Sequence, residues 1–209
     1  METMDETVRK DALLAAILPD VPFDSWTRSA MRGAARRIGM PDAELDALFP
    51  DGPRGLVAWF SHWADRLTLE TMASRPLEGI AGSERVARAA KTRLALLSPH
   101  REAVRRGLAL LALPRNAALA ARLLYDTVDA IWYAAGDQAT DVSFYTKRGM
   151  LAAICAATTL HWLDDRSPDF SATDAFLDRR LADIKRLPRL RLPALPNPLR
   201  ILRAAQQRS

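Results

Sequence analysis

Cysteine is all but missing from this chain. Cys155 is the single thiol in 209 residues, which excludes an internal disulfide framework and suits a reducing compartment. Its surroundings, "LAAICAATT", are apolar, so a buried, unreactive thiol is expected rather than a nucleophile. Long apolar runs are missing too. The longest uncharged stretch of apolar character, "GMLAAICAATTLHWL", has 15 residues and falls short of the roughly 18 that suggest a membrane span. No G-x-S-x-G elbow and no glycine-rich phosphate loop occurs. The three histidines, His62, His100 and His161, are scattered, and the Glu-x-x-His pairs of a helical carboxylate-bridged metal site are not there. In "HWLDD", His161 and Asp164 share a helical face, but one His and one Asp do not hold a metal ion. These gaps point away from an enzyme and from a resident metal or cofactor. The opening "METMDETVRKD" mixes both charges without a basic-then-apolar pattern, so no presequence is expected.

What is present favours helix. The chain is 49% hydrophobic and 26% charged, the balance of a globular protein. Alanine and leucine dominate and β-branched residues are sparse. Proline and glycine then punctuate a series of helical runs. "DETVRKDALLAAILP" stops at Pro19. "FDSWTRSAMRGAARRIG" offers Asp24 or Ser25 as N-cap and Gly39 as its close. "MPDAELDALFPDG" is a short helix between Pro41 and Pro50. Leu56, Phe60, Trp63 and Leu67 then form an amphipathic stripe. Ser83 is expected to cap the next helix, and Pro99 and Pro114 to open the two after it. Gly136 ends one helix, and Asp141 or Ser143 caps its successor. The expectation is an all-α fold of about nine or ten helices.

Charge is unevenly distributed. From Lys185 onward there are seven bases and no acid, leaving 23 bases against 25 acids in the first 184 residues. A near-neutral body with a basic tail differs from a basic nucleic-acid-binding domain. Within that tail, "PRLRLPALPNP" packs four prolines into 11 residues and reads as an extended linker. The expected organisation is a helix-turn-helix-like part with its connecting helix over 1–75, a helical part over 76–187, the linker over 188–198 and a short basic amphipathic tail over 199–209.

The N-terminal helices, with "FP" at 49–50 and "DGPRGLVAWF" after it, resemble the helix-turn-helix junction of TetR-type regulators. A recognition helix needs side chains that reach bases and cations that reach phosphates. The helix over 41–49 instead carries Asp42, Glu44 and Asp46 and no Lys or Arg. The helix before it has Arg28, Arg32, Arg36 and Arg37, which suit either a phosphate backbone or a solvated face. The expectation is TetR-like architecture without nucleic-acid binding.

Several segments then point to one family. "VDAIWYAAGDQATDVSFYTKRGMLAAI", "PFDSWTRSAM", "LSPHREAVRRGLALLALPRN", "DRSPDF" and "FLDRRLADI" resemble the ubiquinone (coenzyme Q) biosynthesis accessory proteins. These are the ninth Coq protein of mitochondria and its alphaproteobacterial relatives; the similarity runs from about residue 9 to 187. The resemblance implies a TetR-like dimer that binds isoprenoid lipid, sits peripherally on the membrane and supports the di-iron demethoxyubiquinone hydroxylase. It implies a docking patch for that hydroxylase at Asp129, Ile131, Asp141, Phe144, Tyr145 and Arg148. The family usually has Trp where Phe144 stands, so an indole donor is lost while the apolar surface stays. On the residues alone, the alanines of 117–135 and 149–163 mean close helix packing. Under the resemblance they line an isoprenoid tunnel with Leu123, Leu124, Leu151, Ile154 and Trp162. The family's membrane-touching C-terminal helix falls on Leu199, Arg200, Ile201, Leu202 and Arg203. Isoprenoid or phospholipid is then the ligand, with no cofactor. A bacterial member on the cytoplasmic face of the inner membrane fits the opening sequence. The alternative is a TetR-type ligand-responsive repressor.

Overall fold

The computed structural model describes residues 4–74, 78–136 and 143–186, with side chains given for most of them. Among these, ten α-helices and no strands occur, as the composition leads one to expect. They are α1 (Met4–Ile17), α2 (Val21–Asp24), α3 (Arg28–Arg37), α4 (Asp42–Leu48), α5 (Pro53–Ala73), α6 (Gly82–Leu97), α7 (Arg101–Leu111), α8 (Ala117–Ala134), α9 (Ser143–Asp164) and α10 (Ser171–Arg186).

The first correction concerns where α3 begins. Neither Asp24 nor Ser25 caps it. Pro22 sits in the opening turn of a separate four-residue helix, α2, and Ser25 after it turns to φ +56°. The chain re-enters helix two residues later, where Thr27 Oγ1 accepts from Ala30 N at 3.1 Å. The far end follows the expectation. Gly39 takes φ +66°, Met40 N donates to Ala35 O at 2.9 Å, and Gly39 N to Arg36 O at 3.2 Å. That pair of bonds is a Schellman closure, and glycine alone among common residues takes that φ without a Cβ penalty. Ser83 is a second correction: α6 starts at Gly82 with Ala81 as its N-cap, so Ser83 lies inside the first turn. Pro99 and Pro114 each open a 3-10 turn, at 98–100 and 114–116, that leads into α7 and α8. Gly136 closes α8 at φ +74°.

Two apolar clusters hold the helices together. The first joins Leu13, Leu14 and Ile17 of α1, Met31 of α3, Leu45 of α4 and Leu56 and Phe60 of α5 to Leu94, Leu97, Ala103, Trp162 and Leu163 from later helices. Trp26 ties α7 to this cluster: its ring lies 5.5 Å from Phe60 and its Nε1 donates to Ala103 O at 2.9 Å. A buried indole N–H without such a partner would cost about 1–3 kcal/mol. The second cluster gathers Met72, Val86, Ala89, Val128, Ile131, Ala134, Leu151, Ile154 and Leu177.

The start of α10 is fastened by one carboxylate. Asp165 is buried and accepts four bonds, from Ser167 N (2.7 Å), Ser167 Oγ (2.6 Å), Thr173 N (2.8 Å) and Thr173 Oγ1 (2.6 Å). Between those partners the chain passes through Asp169 and Phe170, both at positive φ (52° and 55°), which brings Phe170 to 6.0 Å from the Trp162 ring.

Candidate functional site: an apolar cavity and a mixed surface patch on two sides of one helix

An apolar cavity of about 410 Å³ lies between the two clusters, within the range of about 300–1,000 Å³ typical of small-molecule sites. Val57 and Phe60 of α5 and Leu97 of α6 form one side. Val104, Gly107, Leu108 and Leu111 of α7 form the next, and Ala120, Leu123 and Leu124 of α8 another. From α9 come Cys155, Ala156, Thr159 and Leu160. Leu160, 60% exposed, stands at the rim. The small residues Gly107, Ala120 and Ala156 leave the space that larger side chains would fill.

The wall is not wholly apolar. Ser61, Arg93 and Thr127 also reach it. Arg93 Nε donates to Asp65 Oδ1 at 2.7 Å, and Arg93 Nη2 to Ser61 Oγ and to Thr127 Oγ1, each at 3.2 Å. Thr127 Oγ1 in turn donates to Asp65, whose side chain is 9% exposed. A buried ion pair of this kind depends on further hydrogen bonds to its donors and acceptors, which Ser61 and Thr127 supply in part. Cys155 faces the same space, and burial pushes its thiol up to about 12, so it is protonated and unreactive at neutral pH.

On the opposite side of α8, Tyr125, Asp129 and Tyr133 follow at four-residue spacing, which is one helical face. Tyr125 and Tyr133 are 48% and 70% exposed. Arg148 of α9 pairs with Asp129, donates to Tyr125 Oη at 3.2 Å and places its guanidinium 5.9 Å from that ring. Aromatics beside a held arginine are the composition of an interface centre.

The sequence-derived residues divide across these places. Leu123 and Leu124 line the cavity. Leu151 and Ile154 do not: they lie on the neighbouring stripe of α9 and fill the second cluster. Trp162, fully buried, packs in the first cluster. Asp129 and Arg148 meet on the surface, whereas Ile131, 2% exposed, points from α8 into the core beneath them. Asp141 and the side chains of Phe144 and Tyr145 lie outside the described residues, as do Leu199, Arg200, Ile201, Leu202 and Arg203. His161 and Asp164 part company: the His161 ring stacks on Phe176 at 4.6 Å with Nδ1 3.3 Å from Thr173 Oγ1, while Asp164 turns to Arg105 at 3.4 Å. Sequence reading missed Val104, Leu108 and Leu111, although their i, i+4, i+7 spacing in "AVRRGLALL" marks one face of α7. It also missed Ser61, Asp65, Arg93 and Thr127, which come from three helices and carry no local pattern.

At the N-terminal end, α4 spends its acids internally. Glu44 pairs with Arg9 and Asp46 with Arg28, each at 2.5 Å, and Asp42 with Arg32 at 3.8 Å. Arg37 pairs with Asp20. Such exposed pairs add little stability, but they occupy three of the four arginines of α3 with carboxylates.

Comparison with known proteins places these features. The COQ9 family model matches residues 117–188, the span of α8, α9 and α10. The human ubiquinone biosynthesis protein COQ9, mitochondrial, is 35% identical over 177 residues, covering 82% of this chain and 56% of the relative. The chain belongs to the COQ9 family. The Drosophila melanogaster COQ9 is 31% identical over 179 residues, covering 84% of this chain and 55% of the relative. This COQ9-family chain thus spans little more than half the length of the curated relatives it matches. A crystal structure of a TetR transcriptional regulator from Nitrosomonas europaea superposes with a TM-score of 0.70 at 21% identity, covering 86% of this chain and 99% of that one. The fold is therefore TetR-like. Among the described residues, no single helix is long and apolar enough to cross a membrane.

Proposed function

We propose that the chain is a lipid-binding accessory protein of ubiquinone biosynthesis. In this reading it works as a homodimer on the membrane surface, holds a prenylated quinone intermediate in the cavity between α5, α7, α8 and α9, and presents it to the di-iron demethoxyubiquinone hydroxylase. It acts by binding, without turnover of its own and without a cofactor; isoprenoid or phospholipid is the ligand. In a bacterium the location is the cytoplasmic face of the inner membrane. The observation that carries the reading is an apolar cavity of about 410 Å³ in a chain whose relatives are named for ubiquinone biosynthesis. Mass spectrometry of lipid extracted from the natively purified protein tests it. A co-purifying prenylated quinone or precursor is expected; phospholipid alone, or an empty protein, defeats the quinone assignment.

The hydroxylase is proposed to dock on the surface around Asp129 and Arg148, joined by Asp141, Phe144 and Tyr145 from the segment that follows α8. Aromatic anchors supply much of the energy of such contacts. Tyr145→Ala is expected to weaken hydroxylase binding at least tenfold with the melting temperature unchanged. Unaltered affinity in a pull-down or titration removes the patch from the proposal.

Repressor activity is the competing reading, and its support is the TetR-like fold alone. Against it stands the charge arrangement of α3 and α4, in which Arg28 and Arg32 are engaged by Asp46 and Asp42. A phosphate backbone would have to displace those carboxylates before any counterion release could contribute.

A further inference from the structure

The polar notch in the cavity wall has an unused donor capacity. Ser61 Oγ accepts from Arg93 Nη2. Its own proton goes to no acceptor found among the described residues, and neither do the two protons on Arg93 Nη1. Thr127 is spent as a donor, since its hydroxyl accepts from Arg93 and donates to Asp65. Each hydroxyl keeps one lone pair, but the unused N–H and O–H groups of Arg93 and Ser61 make the notch chiefly a donor site for a bound molecule. Its net charge is zero, because Asp65 compensates Arg93 at 2.7 Å. A carboxylate or phosphate entering here would meet Asp65 behind the arginine and would lose its hydration without gaining a free cation. A neutral oxygen acceptor gains the donors at no such cost. The other walls are aliphatic or aromatic apart from the Cys155 thiol and Thr159, whose hydroxyl donates to Cys155 O at 2.8 Å.

We propose that Ser61 and Arg93 recognise the polar end of the cavity's ligand, and that this end is a neutral oxygen acceptor such as a quinone carbonyl, its tail running along Leu108, Leu123 and Ala156. The proposal rests on the lipid-cavity reading and adds to it the head group's chemistry and the residues that select it. Ser61 and Arg93 act as binding residues, and Asp65 positions Arg93 while cancelling its charge.

Three probes of one tail length separate the possibilities: a benzoquinone with a ten-carbon tail, the matching alkylbenzene, and decanoate. Their affinities for the full chain are measured by calorimetric titration, with thermal melts checking the fold of each variant. The quinone is expected to bind about five- to tenfold tighter than the alkylbenzene, the size of one or two hydrogen bonds. Ser61→Ala lowers the quinone's affinity severalfold and leaves the alkylbenzene's alone. Asp65→Asn frees the charge of Arg93 and shifts preference towards decanoate, which a purely structural role for the pair would not do. Equal binding of quinone and alkylbenzene, or an equal loss of both in Ser61→Ala, overturns the head-group assignment while the cavity reading survives. Failure of all three probes to bind overturns the cavity reading and this inference with it.

Discussion

Asp165 is a single side chain on which a helix start depends. Its carboxylate takes hydrogen bonds first from Ser167 and then from Thr173, which hold it well below the usual carboxylate range. The sign follows from linkage: an unfolded Asp titrates near pH 3.9, and a folded pKa below that means the unfolded state binds protons first as the pH falls. The stabilisation is therefore present above about pH 4 and is lost progressively below it. Asp165→Asn, which loses one acceptor and the charge, is expected to lower the melting temperature at pH 7. The gap from the wild type should close between pH 4 and pH 2; a gap that stays constant with pH contradicts the role. No local signal revealed this residue, because its partners lie two and eight positions on and meet it only after the chain reverses through Asp169 and Phe170. Cys155 was legible for the opposite reason. Its burial follows from the apolar residues on either side, and no distant partner is needed to predict it.

At the scale of elements, those with their own punctuation could be read closely and those set by distant packing could not. Gly39 announced the end of α3 because a left-handed residue is needed there. Gly39→Ala adds a Cβ that meets no neighbour within 4 Å, so its cost is conformational alone. It is expected to destabilise by about 1–2 kcal/mol, read as a shift in the urea midpoint with the m-value unchanged. The start of α3 was harder, since Asp24, Ser25 and Thr27 all have cap chemistry within four residues. Pro22 decides among them by opening a separate helix. For α9 the sequence supplies a helix but not its rotation. Apolar residues occur on almost every side of it, so Leu151, Ile154 and Trp162 could not be told from Cys155, Ala156 and Leu160 until α8 and α10 were in place. The acids of α4, by contrast, were plain in the sequence while their partners were not: the structure finds each of the three carboxylates facing an arginine of the same chain.

Across the whole molecule, charge is what would link the cavity to a membrane under the proposed function. The described helices bury their apolar faces in two clusters and leave no spanning helix among them. In the proposed lipid-binding role, access to a bilayer lipid would depend on the protein's surface and on the segment 188–209, whose composition is free of acids. Five of the chain's 30 bases, Arg189, Arg191, Arg200, Arg203 and Arg208, belong to it, and without them 25 bases remain against 25 acids. Each base near an anionic leaflet contributes on the order of 1 kcal/mol within a Debye length of the surface. Leu199, Ile201 and Leu202 add apolar area that salt does not screen. Deleting residues 188–209 is therefore expected to reduce binding to vesicles containing phosphatidylserine by at least tenfold at low ionic strength, and to abolish most of the salt dependence, in a sedimentation assay. On neutral phosphatidylcholine vesicles the two chains should differ much less. If the truncated chain binds anionic vesicles as well as the full one, the attraction comes from the helical body. The exposed Phe23 and Tyr133 would then be the residues to replace next.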